Sequence, residues 1–88
     1  MKKKEIDVSY LNELMDSVIQ DTSVPRNIRK VVEDAKIKIQ NQEEIGVSVS
    51  SAIYMMDDIS NDINMPAHTR TEIWTIMSEL ENLKEKIK

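Results

Sequence analysis

Two prolines, 41 residues apart, constrain the fold of this chain more than any other feature of its sequence. Pro25 and Pro66 are the only prolines among its 88 residues, and each stands between two segments with helical spacing of apolar residues. Proline is excluded from a helix interior but is accepted in the first turn, where its missing N–H costs nothing. We therefore expect each proline to separate two helices, which gives two helical hairpins.

Apolar residues on both sides of each proline recur at three- and four-residue intervals, the pattern of an amphipathic helix. This pattern predicts helices over about residues 6–20, 25–42, 49–63 and 66–87. The apolar stripe of the third helix extends to Ile63. Asp7 is a candidate N-cap for the first helix, and Ser48 or Ser50 for the third. Gly46, the only glycine, stands where the second helix would need a left-handed C-terminal cap.

The two hairpins align with each other after a shift of 41 residues. Identical residues then coincide, among them Asp21 with Asp62, Pro25 with Pro66, and Arg29 with Arg70. A period of about 40 residues is typical of helical solenoid repeats, but two units are fewer than a stacked array needs. The predicted fold is all-α. It is a single domain over residues 1–88, a four-helix bundle made of two antiparallel helical hairpins related by an internal repeat.

Each aspartate of this repeat lies at the end of one helix, and each arginine lies in the first turns of the next. We expect two interhelical ion pairs that fix the turns, Asp21 with Arg29 and Asp62 with Arg70. Exposed ion pairs of this kind contribute about 0–1 kcal/mol. They are therefore interpreted as structural features rather than as parts of an active site.

No set of residues has the spacing of a catalytic or metal centre. Cysteine is absent, which excludes a disulfide framework, a thiolate zinc site and a cysteine nucleophile. His68, the only histidine, is expected in the first turn of the last helix. The carboxylates nearest to it in sequence are those of Asp57, Asp58, Asp62 and Glu72. This set fixes no coordination geometry, so we expect no enzyme activity, metal or cofactor; a small metal-dependent or acid–base enzyme around these groups is a weaker hypothesis.

Basic residues cluster after the first proline, at Arg26, Arg29 and Lys30, and Arg70 occupies the matching place after the second. Lysines also lie near both ends of the chain, at Lys2, Lys3, Lys4, Lys84, Lys86 and Lys88. The net charge of −4 argues against a general nucleic-acid-binding protein, which is more often basic. Weak nucleic-acid or anion binding through these basic residues is the alternative function.

No segment reaches the ~18 apolar residues that suggest a membrane span. The lysines at the start have no apolar stretch behind them, as a signal peptide would. We therefore expect a cytoplasmic protein that does not contact a membrane.

Two aromatic residues lie away from the centres of the predicted apolar stripes. Tyr54 falls roughly opposite its stripe, and Trp74 falls roughly a third of a turn from the centre of its own. Their counterparts in the repeat are Glu13 and Glu33, so the second hairpin carries rings where the first carries charge. Tyr and Trp are enriched at binding hot spots. Tyr54, Trp74 and the neighbouring Met55 are therefore candidate contacts of a protein–protein interaction module, either with a partner protein or with a second copy of the chain. The alternative is that Trp74 packs between the second and fourth helices and that Tyr54 lies along the surface.

The segment Asp-Thr-Ser-Val-Pro-Arg-Asn-Ile-Arg-Lys, residues 21–30, resembles a small and functionally uncharacterised archaeal family of all-helical proteins. The likeness spans nearly the whole chain and is most specific over residues 24–29. It implies a compact four-helix fold and an archaeal intracellular setting, and it implies no activity. A looser resemblance to HEAT-type helical repeats, in which an Asp near a turn and an Arg early in the second helix recur, implies a partner-binding scaffold by analogy.

Overall fold

The computed structural model describes residues 6–87, so Lys2, Lys3, Lys4 and Lys88 lie outside the described residues. Within that range the chain forms helices and no strand. The helices are α1 (Ser9–Ile19), α2 (Arg26–Ile39), α3 (Ile45–Ile59) and α4 (Ala67–Ile87), with a short 3-10 turn at Gln42–Glu44 before α3. The prediction of an all-α chain with four helices is confirmed.

The four helices pack in chain order and close on themselves: α1 contacts α2, α2 contacts α3, α3 contacts α4, and α4 contacts α1. The body measures 47 × 20 × 16 Å. Hydrogen bonds join Asn27 to Asp62 and His68 to Asp21, so both proline turns lie at one end, which we call the proline end. The connection between α2 and α3 lies at the other end, where Gln42 bonds to Ile6.

Each helix buries one apolar stripe in the common core. The buried stripes are Leu11, Met15 and Val18 on α1, Ile28, Val32, Ala35 and Ile39 on α2, Val49, Ala52, Met56 and Ile59 on α3, and Ile73, Ile76, Leu80 and Leu83 on α4. Full burial of one such side chain contributes roughly 1.5–3 kcal/mol. Ile63, predicted to extend the α3 stripe, is instead 92% exposed, because α3 ends at Ile59 and Ile63 falls in the turn.

The helix ends differ from the predicted bounds most clearly around α3, which begins at Ile45 rather than at 49. Gly46 therefore lies in the first turn of α3, and no glycine in the described residues has positive φ, so the predicted left-handed cap is wrong. The physical reason is that Ile45 is buried and begins a new helix directly after the 3-10 turn. Ser48 and Ser50 then lie inside α3 and cannot cap it.

The segment before α1 is held by side chains rather than by helix extension. Gln42 binds both backbone groups of Ile6: its Nε2 donates to the Ile6 carbonyl at 3.1 Å, and the Ile6 N–H donates to Oε1 at 3.0 Å. Asp7, the predicted N-cap, lies one residue before the actual N-cap position, which is Val8; its Oδ1 accepts the N–H of Ser9, the first helical residue, at 2.9 Å. Hydrogen bonds from Ser9 lower the pKa of Asp7. These contacts explain why α1 begins at Ser9 and not at residue 6.

The two proline turns have the same pattern of backbone hydrogen bonds. In the first, the Val24 N–H donates to the Asp21 carbonyl and the Ser23 N–H to Asp21 Oδ1. In the second, the Met65 N–H donates to the Asp62 carbonyl and the Asn64 N–H to Asp62 Oδ1. An aspartate that bonds the backbone two residues on is a common way to fix a turn. Val24 and Met65, which the helical stripes did not include, are both buried directly before their prolines.

The predicted Asp–Arg ion pairs are wrong for both turns. Arg29 Nε donates to the Val24 carbonyl at 3.0 Å. Arg70 donates to the carbonyls of Ser60 and Asp62, the latter at 3.0 Å. Because the carboxylates already bind backbone N–H groups of the turn, the guanidinium groups bind backbone carbonyl oxygens in or beside the two turns instead.

Candidate functional site

The aromatic residues singled out in the sequence lie on the outer surface of α3 and α4. Tyr54 is 78% exposed and Trp74 is 57% exposed. Met55, the third interface candidate, is half-buried and packs partly against the core. Large apolar side chains that are exposed to water indicate an interaction site when they cluster on one face.

Trp74 lies on the side of α4 that faces α3. Arg70 marks this side, because its guanidinium binds carbonyls at the end of α3. Trp74 follows Arg70 by four residues, which places it only about 40° away around the helix axis. Since α3 and α4 also pack against each other, we treat the exposed side chains of these two helices together as one candidate surface.

The part of α3 that leads up to and includes Tyr54 has no charge. Residues 45–56 of α3 contain no charged residue, although charged residues make up 32% of the chain. We call the following exposed residues the aromatic face: Val47, Ser50 and Tyr54 on α3, and Thr71, Trp74 and Ser78 on α4. Depletion of charge together with exposed aromatic rings is the composition of an interface centre. The uncharged run is the sequence signal that periodicity alone did not reveal.

The predicted anion-binding residues do not form a free basic patch. Lys30 lies 3.0 Å from Asp34 and 3.8 Å from Glu33, and the hydrogen bond to Asp34 raises the pKa of Lys30. Arg29 and Arg70 each bind backbone carbonyls, as described above. Arg26 is exposed. A shallow cavity of about 160 Å³ lies beside these residues, lined by Ile19, Arg26, Arg29, Lys30 and Glu33.

A second cluster lies at the proline end, between the α1–α2 turn and the start of α4. His68 Nε2 is 2.9 Å from Asp21 Oδ2. Ligand atoms of Asp21, His68 and Glu72 all lie within 4.8 Å of one another. Ser17 Oγ donates to Glu72 Oε2 at 2.8 Å, which fixes this carboxylate from α1. The cluster therefore joins α1, the first turn and α4.

Asp21 is held more firmly than the other members of the cluster. Its Oδ1 accepts the hydroxyl of Ser23 at 2.6 Å and the backbone N–H of Ser23 at 2.9 Å. Hydrogen bonds from the Ser23 hydroxyl, from His68 and from the Ser23 N–H lower the pKa of Asp21 to about 2. Asp21 is therefore ionised at neutral pH and well below it.

The structure does not join His68 to the carboxylates that precede it in sequence. Asp62 binds the N–H of Asn64 and the side chain of Asn27, while Asp57 and Asp58 are exposed at the end of α3. Among residues 6–87, the Asp21–His68–Glu72 set is the one group of three such side chains that converges. Sequence spacing could not identify it, because Asp21 and His68 are 47 residues apart.

These observations define a small all-α protein of four packed helices, with an uncharged aromatic face on α3 and α4 and a carboxylate–imidazole cluster at the proline end. The chain belongs to UPF0147, an uncharacterised protein family whose model matches residues 1–83. The resemblance to a small archaeal helical family is thereby confirmed, whereas the looser likeness to HEAT-type repeats stays a prediction. In the described part of the chain, no helix has the length and apolar character needed to cross a membrane.

Relatives and solved structures agree with this assignment. The UPF0147 protein MJ1419 of Methanocaldococcus jannaschii is 53% identical over 72 residues, which are 81% of this chain and 77% of that protein. The UPF0147 protein Ta0600 of Thermoplasma acidophilum is 40% identical over 84 residues, 91% of this chain and 96% of that protein. The crystal structure of the unknown-function protein MMP1188 matches with a TM-score of 0.80 and 44% identity, covering 91% of this chain and 96% of that one. A crystal structure of a UPF0147 protein from Thermoplasma acidophilum also matches with a TM-score of 0.80. It is 41% identical, and the match covers 85% of this chain and 89% of that one.

Proposed function

We propose that the protein is a non-enzymatic interaction module that self-associates through the aromatic face. The observation that carries the proposal is the exposure of Trp74, at 57%, and Tyr54, at 78%, on neighbouring helices, with Tyr54 inside an uncharged run of α3. Burying such rings against a partner removes apolar area from water at about 25 cal/mol per Å². Uncharged neighbours such as Ser50 and Thr71 add little desolvation cost to this burial.

The charge distribution favours a second copy of the chain as the occupant. A net charge of −4 makes two copies repel each other when acidic surfaces meet. On α3, the exposed acidic residues Asp57 and Asp58 follow Tyr54 by one helical turn and end the uncharged run. Two copies that meet over the uncharged run of α3 therefore bury no like charges there, as a two-fold interface requires.

The dimensions of the molecule are sufficient for such an interface. A stable complex of standard size buries roughly 800 Å² on each partner. The chain exposes 5821 Å² in total, and its long sides extend 47 Å. One long face therefore offers enough surface, and exposed aromatic residues such as Tyr54 and Trp74 are of the type enriched at hot spots.

Intrinsic fluorescence provides a direct test, because Trp74 is the only tryptophan. We expect its emission to shift to shorter wavelength as the concentration rises from about 1 μM to about 1 mM, since self-association covers the ring. Tyr54→Ala should move this shift to higher concentration. Tyr10→Ala is the matched control, because Tyr10 is a 55% exposed ring on α1 and lies outside the aromatic face.

An emission spectrum independent of concentration over that range would contradict self-association. A heterologous partner protein would then be the remaining occupant of the aromatic face. Equal effects of Tyr54→Ala and Tyr10→Ala would show that any association uses another surface.

We also propose that the two hairpins are related by an internal repeat. The equivalent hydrogen bonds of Asp21 and Asp62 in the two proline turns support this, as do the buried residues before each proline. Only the second copy carries Tyr54 and Trp74. In this proposal, the first hairpin serves as the scaffold and the second as the contact surface.

A further inference from the structure

We propose that Asp21, His68 and Glu72 bind a divalent first-row transition-metal ion, and zinc is the ion to which we commit. Each of the three side chains offers one ligand atom, and these atoms lie within 4.8 Å of one another. The site lies at the proline end, away from the aromatic face, and it is independent of the proposed self-association.

The donor set is one that zinc accepts. An imidazole nitrogen and two carboxylate oxygens are ordinary zinc ligands, with bonds of roughly 2.0–2.2 Å. Two ligand atoms that share such an ion lie roughly 3.3 Å apart in tetrahedral geometry. The 2.9 Å between His68 Nε2 and Asp21 Oδ2 is close to this spacing, so a small outward movement of either side chain admits the ion.

The helix supplies two of the ligands in a favourable register. His68 and Glu72 are four residues apart in α4, so their side chains project from one face of the helix. Ligand pairs with this spacing recur in helical metal sites. Asp21 reaches the same point from the α1–α2 turn, so three ligands converge on one point from two separate parts of the fold.

Neighbouring hydroxyl groups orient the two carboxylates. Ser23 donates twice to Asp21 Oδ1, which leaves Oδ2 directed at His68. Ser17 Oγ donates to Glu72 Oε2 across the α1–α4 contact. Hydrogen bonds of this kind hold ligands in place around metal ions. Because His68 is exposed, water completes the coordination of the ion.

Binding requires the unprotonated Nε2 of His68, so the ion takes the place of any proton between this nitrogen and Asp21, and that proton leaves to solvent. Zinc affinity is therefore expected to fall as the pH is lowered. The bound ion links the α1–α2 turn to α4 and so joins the two hairpins. Since it binds only the folded chain, it raises the temperature of unfolding.

The experiment is a zinc titration of the full chain at neutral pH, in competition with a chromophoric chelator. We expect one ion per chain, with affinity weakened about tenfold or more in His68→Gln and in Glu72→Gln. Glu79→Gln is the matched control, because Glu79 is another half-buried carboxylate on α4 and is not in the cluster. The imidazole signal of His68, the only histidine, should shift in proportion to the bound fraction.

Ser17→Ala distinguishes a site whose ligands are held in place by neighbouring groups from exposed ligands that meet only by chance. It removes no ligand, so a weaker zinc affinity in this variant supports the orienting role of Ser17. Circular dichroism without metal establishes that each variant is folded. An affinity unchanged in His68→Gln, or no zinc binding below about 1 mM, would overturn the proposal.

Discussion

Replacing Gly46 by alanine is expected to stabilise the protein. Gly46 is half-buried near the start of α3, and its φ is not positive. A Cβ at this position meets Ile87 Cγ2 at 3.7 Å, an ordinary van der Waals contact that requires no movement. The new methyl group therefore fits, and it also fills space between α3 and the end of α4.

The magnitude follows from helix propensity. Glycine is about 0.8–1.0 kcal/mol less favourable than alanine in a helix interior. Because Gly46 lies in the first turn, we expect Gly46→Ala to raise the free energy of unfolding by about 0.5–1 kcal/mol. In a domain of this size that corresponds to roughly 2–8 °C in Tm.

Urea unfolding followed by circular dichroism measures the effect. With an m-value of about 1 kcal/mol/M, the midpoint should rise by about 0.5–1 M without a change in m. Ser50→Gly, an exposed position in the same helix, is the control and should lower the midpoint. A destabilisation by Gly46→Ala would refute the reasoning, because that is the result expected for a left-handed cap.

Three further predictions concern single interactions. Thr69→Val should raise the free energy of unfolding by about 1 kcal/mol in the same urea assay, because the buried Thr69 hydroxyl has no hydrogen-bond partner among the described residues; a loss of stability would indicate that the hydroxyl is satisfied. Gln42→Ala should lower the free energy of unfolding by roughly 1–2 kcal/mol, since two hydrogen bonds to Ile6 disappear, whereas an unchanged midpoint would show that they contribute nothing. The lowered pKa of Asp21, about 2, adds stability that is lost as the pH falls from about 4 toward 2. Asp21→Asn should therefore flatten acid unfolding over this range, and an unchanged acid profile would contradict the assignment.

The helices could be predicted from the sequence because local patterns determine them. The apolar spacing around Met15 and Ile76 repeats with the helical period, and both residues are fully buried. The two prolines mark the starts of α2 and α4 to within a residue. The prediction at Gly46 was wrong, because a lone glycine after the end of an apolar helical pattern usually indicates a C-terminal cap. Here the buried Ile45 begins the next helix directly, so Gly46 lies inside that helix.

The side-chain partners could not be predicted because they depend on packing between distant segments. Arg29 was expected to bind Asp21, yet it binds the Val24 carbonyl five residues before it. Asp21 instead meets His68, which reaches it only because α4 packs against α1. The exposure of Tyr54 could be predicted from its position opposite the apolar stripe, whereas the position of Trp74 was compatible both with exposure and with packing between the second and fourth helices.

Sedimentation equilibrium of the purified chain tests the central claim most directly. A module that self-associates through the aromatic face gives a mass approaching twice that of the chain as the concentration rises. Trp74→Ala should return the mass to that of a single chain, while Tyr10→Ala should leave the association unchanged. A single-chain mass at all concentrations, or an association that Trp74→Ala leaves intact, would contradict the account.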